Sequence, residues 1–118
     1  MAIMLKTATG EFYFNPDTIA RVHLSPDHQT LTVHFVNGTL FSAPVGTEHE
    51  RQTVREFLAT LSEEGSGFLP SGRELLNLRS AQWVSIPEEG PVQVRWQDNR
   101  THVLSDINVD HVRATLRP

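Results

Sequence analysis

Six histidines stand among the 118 residues, and imidazole is the side chain that most readily ligates a transition metal or moves a proton near neutral pH. Two of them, His23 and His34, lie in the alternating runs ARVHL (20–24) and LTVHF (31–35). If Leu24 pairs with Leu31 across the turn SPDHQT, Arg21 falls opposite His34 and His23 opposite Thr32. The two imidazoles then lie diagonally on one face of a hairpin. The sequence indicates no third ligand, and His102 and His111 have no partners at ligand spacing. The adjacent pairs Glu63-Glu64 and Glu88-Glu89 fall in loops, where neighbouring side chains diverge, and read as solubility features rather than acid/base dyads. The chain has no cysteine, which removes disulfides and thiolate metal sites. It also has no nucleophile elbow and no histidine tied by sequence to a serine or an acid. The expectation is a non-enzyme without metal or cofactor, its histidines being polar residues of an outer face.

The same pairing logic gives that face more members. Setting Ile86 opposite Val92 places Trp83 opposite Arg95, a cation–π pair worth about 0.5–1 kcal/mol when exposed. If Asn37-Gly38 and Asp98-Asn99 are two-residue hairpin turns, Phe41 and His102 come to lie beside His34 and Arg95. The predicted binding face is therefore Arg21, His23, His34, Phe41, Trp83 and Arg95, with His102 alongside. Val22, Leu24, Val33, Phe35, Val84, Val94 and Trp96 form the opposite side. Net charge is −4, which argues against a dedicated nucleic-acid binder. The acids, however, concentrate on a helix and in turns, leaving this face locally basic and aromatic. It suits an anionic or peptide partner, and the expected function is a small non-enzymatic interaction or adaptor module that binds a protein partner or a second copy of the chain through a β face or edge. The alternative is a nucleic-acid-binding, transcription-regulator-like β domain.

The elements that must position these residues come in two similar sets. FNPDTIARVHL (14–24) and LNLRSAQWVSI (76–86) share an apolar residue, an asparagine and an alternating run, with Asn15 matching Asn77 and Val22 matching Val84. Leu31, Val33 and Phe35 then match Val92, Val94 and Trp96, and the turn Asn37-Gly38 matches Asp98-Asn99. Conserved order across two turns and two alternations points to an internal duplication. Asn15-Pro16-Asp17 predicts a one-turn helical connector, since asparagine caps free amides and proline tolerates the first helical position. Asn-Gly at 37–38 predicts a type I′ hairpin turn.

Between the units, Thr47 and Glu50 form a capping box before Val54, Phe57, Leu58 and Leu61 at helical spacing. The Gly-, Ser- and Pro-rich SEEGSGFLPSG reads as a flexible linker. The chain is thus expected to be one domain over 1–118, α+β and mainly antiparallel. Two related β-meander units, 10–45 and 73–105, are joined by an amphipathic helix (47–62) and a linker (63–72). Residues 107–116 read equally as the strand of an unfinished third unit or as a short helix bearing Val109, Val112 and Leu116. No apolar run at the N-terminus is long enough for a signal peptide or membrane span. One lysine against nine arginines resembles a GC-rich bacterial coding bias, and a bacterial cytoplasmic protein is expected.

Two family resemblances attach to particular stretches. GEFYFNPDTIARVHLSPDHQTLTVHFVNG resembles the small flagellar proteins of the FlbD/SwrD type, which have a phenylalanine-rich strand, an Asn-Pro-Asp turn and a hairpin ending in Asn-Gly. That likeness spans the first third of the chain and implies a motility accessory without a cofactor. FLPSGRELLN (68–77) resembles LytTR-type DNA-binding domains, β-hairpins built around a short helix, through Phe68, Arg73, Leu75, Leu76 and Asn77. The stretch lacks the histidine and the arginine-serine pair that would carry phosphate and base contacts in that family, so DNA reading is not carried over with it.

Overall fold

The hairpin turns decide which side chains share a face. In the computed structural model, which describes residues 2–63, 65–105 and 107–117, the chain begins with a hairpin of β1 (Ile3–Thr7) and β2 (Gly10–Phe14). A 3-10 turn, Pro16–Thr18, follows with the Asn15 side chain accepting from the Asp17 amide, the connector expected from Asn-Pro-Asp. Next come β3 (Ile19–Leu24), β4 (Thr30–Phe35) and β5 (Leu40–Pro44). Leu24 pairs with Leu31, Arg21 with His34 and His23 with Thr32, the register the alternation predicts.

The next turn departs from expectation. The Gly38 amide donates to the Phe35 carbonyl (3.0 Å) and the Phe35 amide to Thr39 (2.9 Å). Gly38 has φ +89°, whereas Asn37 is not among the residues with positive φ. A type I′ turn would need both residues there. The loop is instead three residues long, with Gly38 in the left-handed position of a bulge. The added residue slips the register by one, so His34 pairs with Leu40 and Phe41 with Val33. Because strand side chains alternate, one step of slip moves every residue of β5 to the other face. Phe41 therefore does not lie beside His34. It packs on the core side against Phe12 and Phe14, at 4.8 and 5.2 Å between ring centroids.

Helix α1 (Glu48–Leu61) starts at the capping box: Thr47 accepts from the Glu50 amide, and Glu50 accepts from the Thr47 amide. Val54, Phe57 and Leu61 are buried against Leu5, Phe14, Ile19, Val22, Leu31, Val33 and Leu75. The first core thus lies between the helix with the β1–β2 hairpin and the Val22/Val33 face of a five-stranded sheet. The strand order of that sheet is β5-β4-β3-β7-β6.

Its last two strands correct the linker reading. Phe68–Ser71 forms β6 and Glu74–Asn77 forms β7, an antiparallel hairpin on the edge of β3. Phe68 and Leu69 are buried, so the apolar pair outweighs the flexibility suggested by the Gly and Ser around it. Of the pair Glu63-Glu64, Glu64 lies outside the described residues.

A second 3-10 turn, Leu78–Ser80, leads to a three-stranded sheet of β8 (Trp83–Ser85), β9 (Val92–Arg95) and β10 (Thr101–Leu104), with β9 central. Its β9–β10 turn has the geometry of the first unit. The Asn99 amide donates to Trp96 (3.1 Å), the Trp96 amide donates to Arg100 (2.8 Å), and Asn99 holds φ +70° where Gly38 holds the equivalent place. The same one-residue slip follows: His102 pairs with Val94, not with Arg95.

The chain continues into α2 (Val109–Leu116), capped by Asn108 and burying Val112. Of the two readings of 107–116, the helix is correct. Val92, Val94, Trp96, Leu104 and Val112 pack against Ala20, Leu69 and Leu76 in a second core. Leu76 pairs with Arg21 and so shares its face. The helix covers one face of the five-stranded sheet, and the three-stranded sheet packs on the other.

Candidate nucleic-acid interface and the polar junction behind it

The six residues expected on a single binding face separate into three environments. Phe41 belongs to the first core, for the register reason above. Arg21, His23 and His34 share a face as expected, but the three-stranded sheet packs against part of it. Trp83 and Arg95 remain on an outer surface.

The buried part is a polar junction between the two sheets. Arg21 Nη1 lies 2.9 Å from Glu74 Oε1, with side chains only 15% and 27% exposed. Glu74 Oε2 is 3.5 Å from His102 Nε2. Trp96 Nε1 donates to His102 Nδ1 at 2.8 Å. An indole N–H can only donate, so Nδ1 must be the bare nitrogen and the His102 proton sits on Nε2, facing Glu74. The contacts to His102, and then to Arg21, hold the Glu74 carboxyl below the usual carboxylate range against the opposing effect of its burial. His23 and His34 stack with ring centroids 5.0 Å apart. Burial, assisted by the charge of Arg21 and by His23 and Arg100, pushes His34 down to about 4.

Sequence spacing could not reveal Glu74 or the placement of His102, because their partners come from strands remote along the chain. The available signal was the apolar pairs Phe68-Leu69 and Leu75-Leu76 flanking a Ser-Gly turn, a hairpin pattern. Among the described residues no group of three or more His, Asp or Glu side chains is arranged to hold a metal ion. The crevice beside Arg21, His34 and Trp96 has a volume of about 10 Å³, room for about one water and for no larger ligand.

The exposed part is the outer face of the three-stranded sheet. Trp83 pairs with Arg95 across β8 and β9, and Arg95 with Thr101 across β10. One row along lie Ser85, Gln93 and Val103. The Arg95 guanidinium carbon is 5.9 Å from the Trp83 ring centroid, the contact expected from the pairing. Trp83 is 43% and Val103 55% exposed. These six residues hold one cation, an aromatic plane and three neutral hydrogen-bonding side chains, with no carboxylate among them. Such a surface offers a stacking plate and donors to an anionic, hydrogen-bonding ligand. Arg100, the residue before Thr101, lies instead at the crevice with Trp96 and is paired with Asp98 at 3.4 Å.

Neither the protein-family models nor the curated proteins contain a match to this chain. Among solved structures it is similar to a LytTr DNA-binding domain from Bacillus cereus, with a TM-score of 0.59 and 12% sequence identity. The match covers 98% of this chain and 95% of that one. At that identity the likeness is one of fold, and it extends over both units, both cores and both helices. The chain is thus mainly β, with a little helix, in the arrangement of that domain. It agrees with the resemblance carried by FLPSGRELLN. The FlbD/SwrD-type resemblance of the first third receives no support. Among the described residues no helix is long and apolar enough to cross a membrane.

Proposed function

We propose that this chain is a nucleic-acid-binding β domain, and that it meets its ligand through the outer face of β8–β10, with Trp83 and Arg95 at the centre. The observation that carries the reading is the likeness of the whole chain to a LytTr DNA-binding domain. It favours nucleic acid over the protein-interaction module that the sequence put first. The acid-free composition of the Trp83/Arg95 face is consistent with it, and the chain's net charge of −4 sets its character. Few cations are available, so phosphate contacts are few and the bases or sugars must supply much of the affinity. Trp83 serves as the stacking plate, Arg95 as the cation, and Gln93, Ser85 and Thr101 as hydrogen-bonding partners.

Fluorescence anisotropy of labelled duplex and single-stranded DNA tests this. With two to three phosphate contacts, raising salt from about 50 to about 200 mM weakens binding roughly 10- to 40-fold. Arg95→Ala removes about one contact from that salt dependence, and Trp83→Ala lowers affinity at both salt concentrations. Absence of binding to either form of DNA at the lower salt would overturn the reading.

A further inference from the structure

The polar junction carries a second inference, independent of any ligand. The His23 and His34 rings are stacked, and each has one nitrogen, Nδ1 of His23 and Nε2 of His34, that is buried without a hydrogen-bond partner. In neutral imidazole that nitrogen can be a bare lone pair. Adding a proton would create there a buried donor with no protein acceptor, together with a charge.

The surroundings are poorly suited to that charge. From β3, Arg21 pairs directly opposite His34, and His23 stacks on it. From β7 comes Glu74, already bound to Arg21 and facing His102 of β10. From the β9–β10 turn come Arg100 and its partner Asp98, and β5 contributes uncharged Leu40 opposite His34. Two cations are therefore in place, and their carboxylates are committed. Arg21, His34, Trp96, Gln97, Asp98 and Arg100 line one crevice, so repulsion there acts between the two sheets. The first core, with α1, lies on the far face of the five-stranded sheet.

We propose that this junction is a proton-operated latch: protonation of His34 releases the β9–β10 hairpin, and with it the three-stranded sheet, while the first core stays folded. The direction follows from linkage. His34 lies lower in the folded chain, about 4 against an ordinary 6.5. Its neutral form supports the closed junction fully above pH 6.5, and that support is lost as the pH falls through about 4. The contacts of Glu74 hold its carboxyl below the ordinary carboxylate range, so the change is assigned to His34.

Both tryptophans of the chain, Trp83 and Trp96, lie in or beside the three-stranded sheet, so tryptophan fluorescence reports on this unit alone. The experiment is a descent from about pH 6.5 to about pH 4, followed by tryptophan emission and by peptide-resolved hydrogen exchange. The expected result is a red shift as buried Trp96 meets water, with exchange protection lost in β8–β10 and retained in α1 and β3–β4. His34→Gln, which cannot take up the proton, displaces the transition to lower pH. Loss of protection in α1 and β9–β10 at the same pH in the unmodified chain would overturn the latch without any variant. So would an unchanged transition in His34→Gln.

Discussion

Asn15 and Asn77 occupy matching places in the two units, yet the structure gives them different work, and replacing each by alanine separates the two roles. Asn15 is exposed and accepts one bond from the Asp17 amide at 3.1 Å. Loss of such a cap costs about 1 kcal/mol. Asn77 is 3% exposed and makes no side-chain cap. Its Nδ2 donates to the Pro16 carbonyl at 3.0 Å and the Ile19 carbonyl at 2.9 Å, tying the second unit to the connector and first strand of the other.

Asn77→Ala deletes two bonds worth about 0.5–1.5 kcal/mol each and leaves the buried Ile19 carbonyl unpaired, a further cost of about 1 kcal/mol. The Asn77 Oδ1 is itself buried without a partner, so removing it returns part of that loss. The net expectation is about 2–3 kcal/mol. For a chain of this size that lowers Tm by roughly 6–15 °C, against roughly 3–6 °C for Asn15→Ala. Urea unfolding of both variants, with unchanged slopes, gives the comparison. Equal losses, or a larger one at Asn15, would refute the claim that the second asparagine is a tie between units.

Three other outcomes are expected. Phe41→Ala lowers stability by about 1.5–3 kcal/mol and leaves DNA affinity unchanged, as urea unfolding and anisotropy check; lost affinity at unchanged stability would restore Phe41 to the binding face. Asn99→Gly raises stability by about 0.5 kcal/mol, because Asn99 holds a left-handed φ that glycine adopts without strain; a drop in the urea midpoint would contradict this. Thr47→Ala breaks the capping box and costs about 1 kcal/mol, read from the same unfolding curves.

Much of the fold was legible because it depends on neighbouring residues. The Asn15 connector, the Arg21–His34 register, the α1 capping box and the Trp83–Arg95 pair all follow from local patterns and came out as expected. The errors share a cause. At Asn37-Gly38 a two-residue turn and a three-residue loop have nearly the same residue preferences, and choosing between them flips β5. That step misplaced Phe41, and the equivalent one at Asp98-Asn99 misplaced His102. The segment 63–72 was misread because Gly, Ser and Pro dominate it, whereas Phe68 and Leu69 gain enough by burial to form a strand. Glu74 was invisible because its partners, Arg21 and His102, lie far from it along the chain. Local pattern places a residue on a strand, but only the packing of one sheet on another shows which of its faces remains open.

The reading as a nucleic-acid-binding domain is tested most directly by a titration of the isotope-labelled chain with duplex DNA, following the two indole N–H resonances. Trp83 is exposed on the candidate face, whereas the Trp96 N–H is 3% exposed as a residue and bonded to His102. The expected result at about 50 mM salt is a shift or broadening of the Trp83 indole, reversed near 200 mM, with the Trp96 indole in place throughout. Two unmoved indoles in the presence of excess DNA would contradict the account.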